Sequence, residues 1–209
     1  MSNIAIVWSN WERAHVALEP DAAWLGSAGW TIPLWADPRM VRRLRHAPGD
    51  LDAPFVHRYT TQNAEQLRKL CARLLSSRGM RRWRVLLSEA IASYEDRRHA
   101  IVVPALLLVV EGAVATAAGV LKRRSSLRRS SALKRETTPA GMRRLIWVSI
   151  ESFVQSIFGD VPFDTTRPIS LNRHWVLHGR EANAWGRRRD CIRLFHALDT
   201  ISATVDRFR

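Results

Sequence analysis

Beyond residue 60 the apolar positions of this chain fall into helical periods, segment after segment. Ala64, Leu67, Leu70, Cys71, Leu74 and Leu75 recur every three or four residues, the spacing that lines one face of an α-helix. Ser76-Ser77-Arg78-Gly79 closes that run. Trp83, Leu86, Leu87, Ala90, Ile91 and Tyr94 predict a second helix from about Arg81 to Arg97. Met142, Leu145, Ile146, Ile150, Phe153, Val154 and Ile157 predict another, opened by Pro139 and ended by Gly159. Ile192, Phe195, Leu198, Ile201 and Val205 mark a last one from about Gly186 to Arg207. With no internal repeat and no strand-rich segment, the expected fold is an all-α bundle.

The segment 99–121 breaks the amphipathic pattern, because it is apolar nearly throughout and interrupted only by Pro104, Glu111, Gly112, Thr116 and Gly119. Its length suits a membrane span, and the basic run after it would suit a cytoplasmic flank. Pro104, the mid-segment Glu111 and the amphipathic helices on both sides favour a buried bundle helix instead. A carboxylate inside such a helix needs a partner or a function, since an unpaired buried charge is costly.

Two regions stand apart. Residues 1–60 hold five of the nine tryptophans and five prolines, and predict an irregular arm wrapped on a main body that spans 61–209. Within the arm, Ala28–Leu34 reads as an extended segment anchored by aromatics, and Pro38–His46 as a short basic helix with Pro38 in its first turn. The run Lys122–Arg135 carries seven cations and no acid. It is either a solvated loop or helix end, or a phosphate-contacting patch through Lys122, Arg123, Arg124, Arg128 and Arg129.

Charge gives that second possibility weight. With 33 Lys+Arg against 19 Asp+Glu, the chain carries a formal +14. Thirty of those cations are arginine, whose planar fork suits bidentate phosphate contacts. Such a surplus favours a polyanionic partner, nucleic acid or less often an anionic membrane surface. Two cysteines, Cys71 and Cys191, are too few for a disulfide framework and fit a reducing compartment. The first 20 residues lack a basic start followed by an apolar run, so a cytoplasmic setting is expected.

The densest chemistry lies in Asn172-Arg173-His174-Trp175-Val176-Leu177-His178-Gly179. Asn172 can cap a short helix and Gly179 can end it. His174 and His178, four apart, share a helical face, whereas Arg173 and His178 point roughly 140° apart on an ideal helix. One copy of the stretch therefore reads as half of a site, completed across a second copy of the chain.

Arg173-His174-x-x-x-His178 resembles the R-(polar)-x3-H motif of the HEPN superfamily of all-α bundles. Val103-Pro104-Ala105-Leu106-Leu107 with Val110-Glu111-Gly112 is similar to an "IPALL…IEG" segment of uncharacterised bacterial proteins. Those proteins also carry "NRHxxLHG" before a final "RLFxLLDxI" helix, matched here by Asn172–Gly179 and Arg193–Ile201. The resemblance spans about Arg78 to Val205, and its motifs cover neither the N-terminal arm nor the arginine-rich run.

The resemblance implies metal-independent RNA cleavage at a cleft formed by two such motifs across a homodimer, in a bacterial toxin or phage-defence setting. It makes His178 the general acid and base and Arg173 the stabiliser of charge on the phosphoryl oxygens. Asn172 and His174 orient or bind, and Glu111 adds a supporting contact. No metal and no cofactor is implied, and an antitoxin or defence-system subunit is a further possible partner.

Other chemistries remain open on the residues alone. His174-x3-His178 is also a helical metal pair, with Cys191, His196 or Asp190 as further ligands, and Cys191 is a possible nucleophile. No Walker-type or GxGxxG loop supports nucleotide hydrolysis. A non-catalytic RNA-binding or accessory module, and a membrane anchor through 99–121, complete the alternatives.

Overall fold

A computed structural model of the chain describes residues 15–119, 127–139, 141–162, 164, 171–180 and 187–206. The described residues are helical with no strand: α1 (Glu19–Ser27), α2 (Pro38–His46), α3 (Asp52–Thr60), α4 (Glu65–Ser76), α5 (Arg84–Glu95), α6 (His99–Ala117), α7 (Leu127–Thr137), α8 (Met142–Ile157), α9 (Arg173–Leu177) and α10 (Arg188–Asp206). The all-α expectation stands.

α6 and α10 form the centre. α6 packs against α5, α7, α9 and α10, and α10 also meets α3, α4 and α8. Val102, Val103, Leu106, Leu107, Val109, Val110, Ala113 and Val114 of α6 are all buried, and Ile101 and Leu108 are apolar though exposed, so the stretch shows no polar stripe in the sequence. By length and composition alone α6 could cross a membrane, but its place in the molecule is that of a core helix. The helix runs through Pro104, which forgoes one backbone bond near its start.

The irregular arm is corrected. Within the described part of residues 1–60 the chain forms three nine-residue helices, and one of them, α1, packs extensively against α8. A Cβ on Gly26 would come within 2.3 Å of Ser149 O, so this close approach demands glycine. The basic helix at Pro38–His46 forms as expected: Asp37 accepts from Arg39 N at 2.9 Å, and Arg43, Arg45 and His46 fill the last turn. Both basic residues Arg42 and Arg45 reach Asp21 of α1, at 3.1 and 2.9 Å. Burial pushes the Asp21 carboxyl up, but these two guanidinia bring it below the usual carboxylate range.

The non-helical link after α1 carries the anchor predicted from aromatics. Trp30 is fully buried, stacks on Phe55 with centroids 4.2 Å apart, and donates to Asp52 Oδ1 at 2.8 Å. Ile32 N donates to Ser149 Oγ at 3.0 Å. Trp8 and Trp11 lie outside the described residues.

His196 of α10 ties the same link down. Its Nε2 lies 2.9 Å from Thr31 O, and its Nδ1 lies 2.9 Å from Tyr59 Oη. A carbonyl only accepts, so Nε2 carries the proton and Nδ1 accepts from the phenol. Burial favours that neutral ring and moves its pKa below the ordinary histidine value.

Candidate functional site

α9 is short because both of its ends are closed. Asn172 Oδ1 accepts from Trp175 N at 3.2 Å, the expected N-cap. The same side chain donates from Nδ2 to Gly159 O at 2.9 Å and is buried. Both ends of Asn172 are therefore committed within the fold. At the other end Gly179 adopts φ +65°, where glycine is favoured over other residues. Gly179 N bonds Val176 O at 3.1 Å and Arg180 N bonds Trp175 O at 3.0 Å, the paired bonds of a Schellman cap. His178 is the last residue before the reversal, and it is exposed.

Trp175 and Val176 face inward and fix the helix to the body. Trp175 Nε1 donates to Val161 O at 3.2 Å, pinning the indole to the preceding loop. Arg173, His174, Leu177 and His178 remain at or near the surface.

The fold brings the candidate residues into two pairs. Arg173 Nη2 lies 3.2 Å from Glu111 Oε2 on α6, with both side chains more than a third exposed. The carboxylate in the apolar helix thus has a partner, and that partner is the motif arginine. Arg173 Nε is shielded and has no acceptor. The His174 and His178 rings meet edge to face, with centroids 4.6 Å apart. Two imidazoles and a guanidinium thus come from one five-residue helix and the residue that follows it.

Of the basic run, Lys122, Arg123 and Arg124 lie outside the described residues. Arg128 and Arg129 are exposed on α7, a helix where the sequence suggested a loop, helix end or patch. Arg128 Nη2 pairs with Asp160 Oδ2 at 2.6 Å.

The rival ligands are occupied or shut away. His196 is held by Tyr59 and Thr31, and the Cys191 thiol is pushed up to about 12 by burial, far from nucleophilic use. Asp190 accepts from Arg193 at 3.4 Å. No group of three or more His, Cys, Asp or Glu suited to a metal ion occurs among the described residues.

A buried ionic cluster escaped the sequence. Arg193, 7% exposed, sits 2.6 Å from Asp52 Oδ1, and Arg189 reaches Oδ2 at 3.4 Å. Burial raises the Asp52 carboxyl, but Arg193, Trp30 and Arg189 more than offset it, leaving its pKa below the ordinary value. The residues are 141 apart, so no local pattern could signal the pair.

Neither a protein-family model, nor a curated protein, nor a solved structure matches this chain.

Proposed function

We propose that the protein is a metal-independent endoribonuclease of the HEPN type, working as a cytoplasmic homodimer in a bacterial toxin or phage-defence setting. The observation that carries the reading is the presentation of Arg173, His174 and His178 at the surface on one doubly capped helix. In that role a ribose 2′-hydroxyl attacks the adjacent phosphorus. The new O2′–P bond forms as the P–O5′ bond breaks, and His178 carries the proton from the nucleophile to the leaving oxygen. Arg173 balances the charge growing on the phosphoryl oxygens.

A second copy of the chain would seat beside the motif. Ile101 and Leu108, 58% and 51% exposed, lie seven apart on α6, with Glu111 three residues further along. Leu177 is also exposed, on α9, which packs on α6. Apolar side chains beside a neutralised ion pair are where two strongly cationic copies would meet with least repulsion.

The test is cleavage of single-stranded RNA with EDTA present, comparing wild type, Arg173→Ala and His178→Ala. Cutting should persist in EDTA and vanish in both variants while helicity is retained. Equal cutting by wild type and His178→Ala sinks the assignment.

One observation favours a different reading, a non-catalytic RNA-binding or accessory module: Arg173 is already engaged by Glu111. That module binds RNA with an affinity that falls steeply with salt, and it yields no product.

A further inference from the structure

The link between α1 and α2 ends in a tight turn that is braced on both sides. Ala36 N donates to Pro33 O at 3.0 Å, which puts Trp35 at the third position of the turn. Upstream, Ser149 Oγ holds Ile32 N, and Thr31 Oγ1 donates to Thr200 Oγ1 at 3.0 Å. Downstream, Asp37 caps α2. Of the six described tryptophans, Trp30, Trp147 and Trp175 are buried and Trp24 and Trp83 half-buried, whereas Trp35 is 40% exposed. A large aromatic ring is thus held out to solvent on a backbone with little freedom to withdraw it.

One face of that ring is taken. The Arg58 guanidinium carbon lies 4.0 Å from the ring centroid, a cation–π contact. The indole N–H, the only donor on the side chain, goes to the Tyr59 hydroxyl, which in turn bonds His196. The exposure therefore falls on the second face and the outer edge. Arg58 is half-buried, its Nε has no acceptor, and no carboxylate pairs with it among the described residues. The pair offers solvent a flat apolar surface with a fixed positive charge behind it.

The adjoining helix extends that charge. Arg42 and Arg45 of α2 are committed to Asp21, but Arg39 and Arg43 are exposed and form no ion pair among the described residues. They stand four apart, on one face of the helix. The Asp37 carboxylate, between them and Trp35, accepts from the Arg39 amide. Asp199 and Asp52, the acids nearest the link, hold Arg73 and Arg193 at 2.6 Å each. The chain total of +14 already counts every aspartate and glutamate, so the long-range field is positive as well.

The fitting partner is a polymer with an aromatic face at one point and negative charge beside it. Nucleobases stack on aromatic side chains whatever their identity, and a phosphate accompanies each of them. In a duplex each base face is covered by its neighbours, so only a single strand can use the ring. We propose that Trp35 is a stacking platform for one base of a single-stranded nucleic acid, with Arg39 and Arg43 holding adjacent phosphates. Arg173, His174 and His178 take no part in these contacts, so binding here does not depend on cleavage at the motif.

Fluorescence anisotropy of the full chain with a labelled oligothymidylate of about 12 nucleotides tests it. This probe lacks the 2′-hydroxyl that cleavage at the motif requires, so binding is read apart from cutting. It should bind saturably and more tightly than a duplex of equal length. Trp35→Ala should weaken it about 5- to 150-fold, the stacking of one base, while duplex affinity and far-UV circular dichroism stay as in wild type. Trp35→Phe should restore most of the affinity. Arg39→Gln and Arg43→Gln should each flatten the plot of log affinity against log salt by about 0.7, one phosphate apiece, and Trp35→Ala should leave that slope unchanged. Wild-type affinity in Trp35→Ala, equal losses for single strand and duplex, or Trp35→Phe no better than Trp35→Ala overturns the platform. Unaltered salt slopes in both arginine variants remove α2 from the site. Polyglutamate displacing the probe as effectively as unlabelled oligothymidylate overturns the nucleic-acid assignment.

Discussion

Arg173 Nη2 and Glu111 Oε2 stand 3.2 Å apart, so the arginine that would meet a phosphate begins neutralised by a carboxylate from the core helix. Any RNA phosphate must compete with Glu111 for that guanidinium. Partly exposed pairs of this kind contribute only about 0.2–1 kcal/mol. Glu111→Gln should therefore tighten RNA binding by about 1.4- to 5-fold, with little change in urea stability. Filter binding at fixed salt checks it, and weaker binding by the variant would show that Glu111 positions Arg173 instead of restraining it.

Gly179 sets where His178 points. An alanine there must hold the same left-handed backbone at a cost of about 1 kcal/mol, or else abandon the Schellman cap. Gly179→Ala should lower the unfolding free energy by about that amount, and should reduce RNA cleavage in greater proportion than stability. Paired urea melts and cleavage rates measure the two effects.

Arg193→Ala should strongly destabilise the protein. It leaves Asp52 buried without its nearest cation, a loss of about 3–5 kcal/mol in comparable buried pairs. Arg82→Ala, at an exposed position, should stay within about 0.5 kcal/mol of wild type. Denaturant midpoints with unchanged slopes provide the comparison.

His196 makes stability sensitive to mild acid. Burial lowers its folded pKa beneath the unfolded value of about 6.5. Below that pH the unfolded chain takes up a proton that the native ring refuses, so stability falls as pH drops. The slope approaches about 1.4 kcal/mol per pH unit until the folded ring itself titrates. His99, also lowered by burial with Arg188 and Arg97 nearby, adds in the same direction. Asp52 acts lower down: its contribution is present above about pH 4 and is lost as pH falls through its depressed folded pKa. Urea midpoints between pH 7.5 and 5.0 should drop in wild type and drop less steeply in His196→Gln. An identical slope in the two proteins would remove His196 from the account.

The long helices were legible because each buries one side against one core. Leu67, Leu70, Cys71 and Leu74 are the buried face of α4, as their spacing says. Two of the helices that escaped have buried faces that are not apolar. α1 buries Asp21 and Gly26 beside Ala22 and Leu25, and its aspartate is tolerable only because α2 supplies two arginines. α7 buries Ser130 and Ser131, so its inward side carries no hydrophobic signal. At the site, the Asn172 cap and the Gly179 stop were readable since both act within a few residues. The partner of Glu111 was not, because tertiary packing alone brings α9 onto α6.

The Asp52–Arg193 pair also sets a clock on biosynthesis. Asp52 leaves the ribosome 141 residues ahead of the arginine that neutralises it. At ordinary elongation rates that interval is about 7–28 s, during which Trp30 and Asp52 lack the α10 side of their pocket. Until then the pocket around Asp52 has only the walls that α1–α3 themselves supply. The α10 wall, with Arg193 and Arg189, closes that pocket only near the end of synthesis.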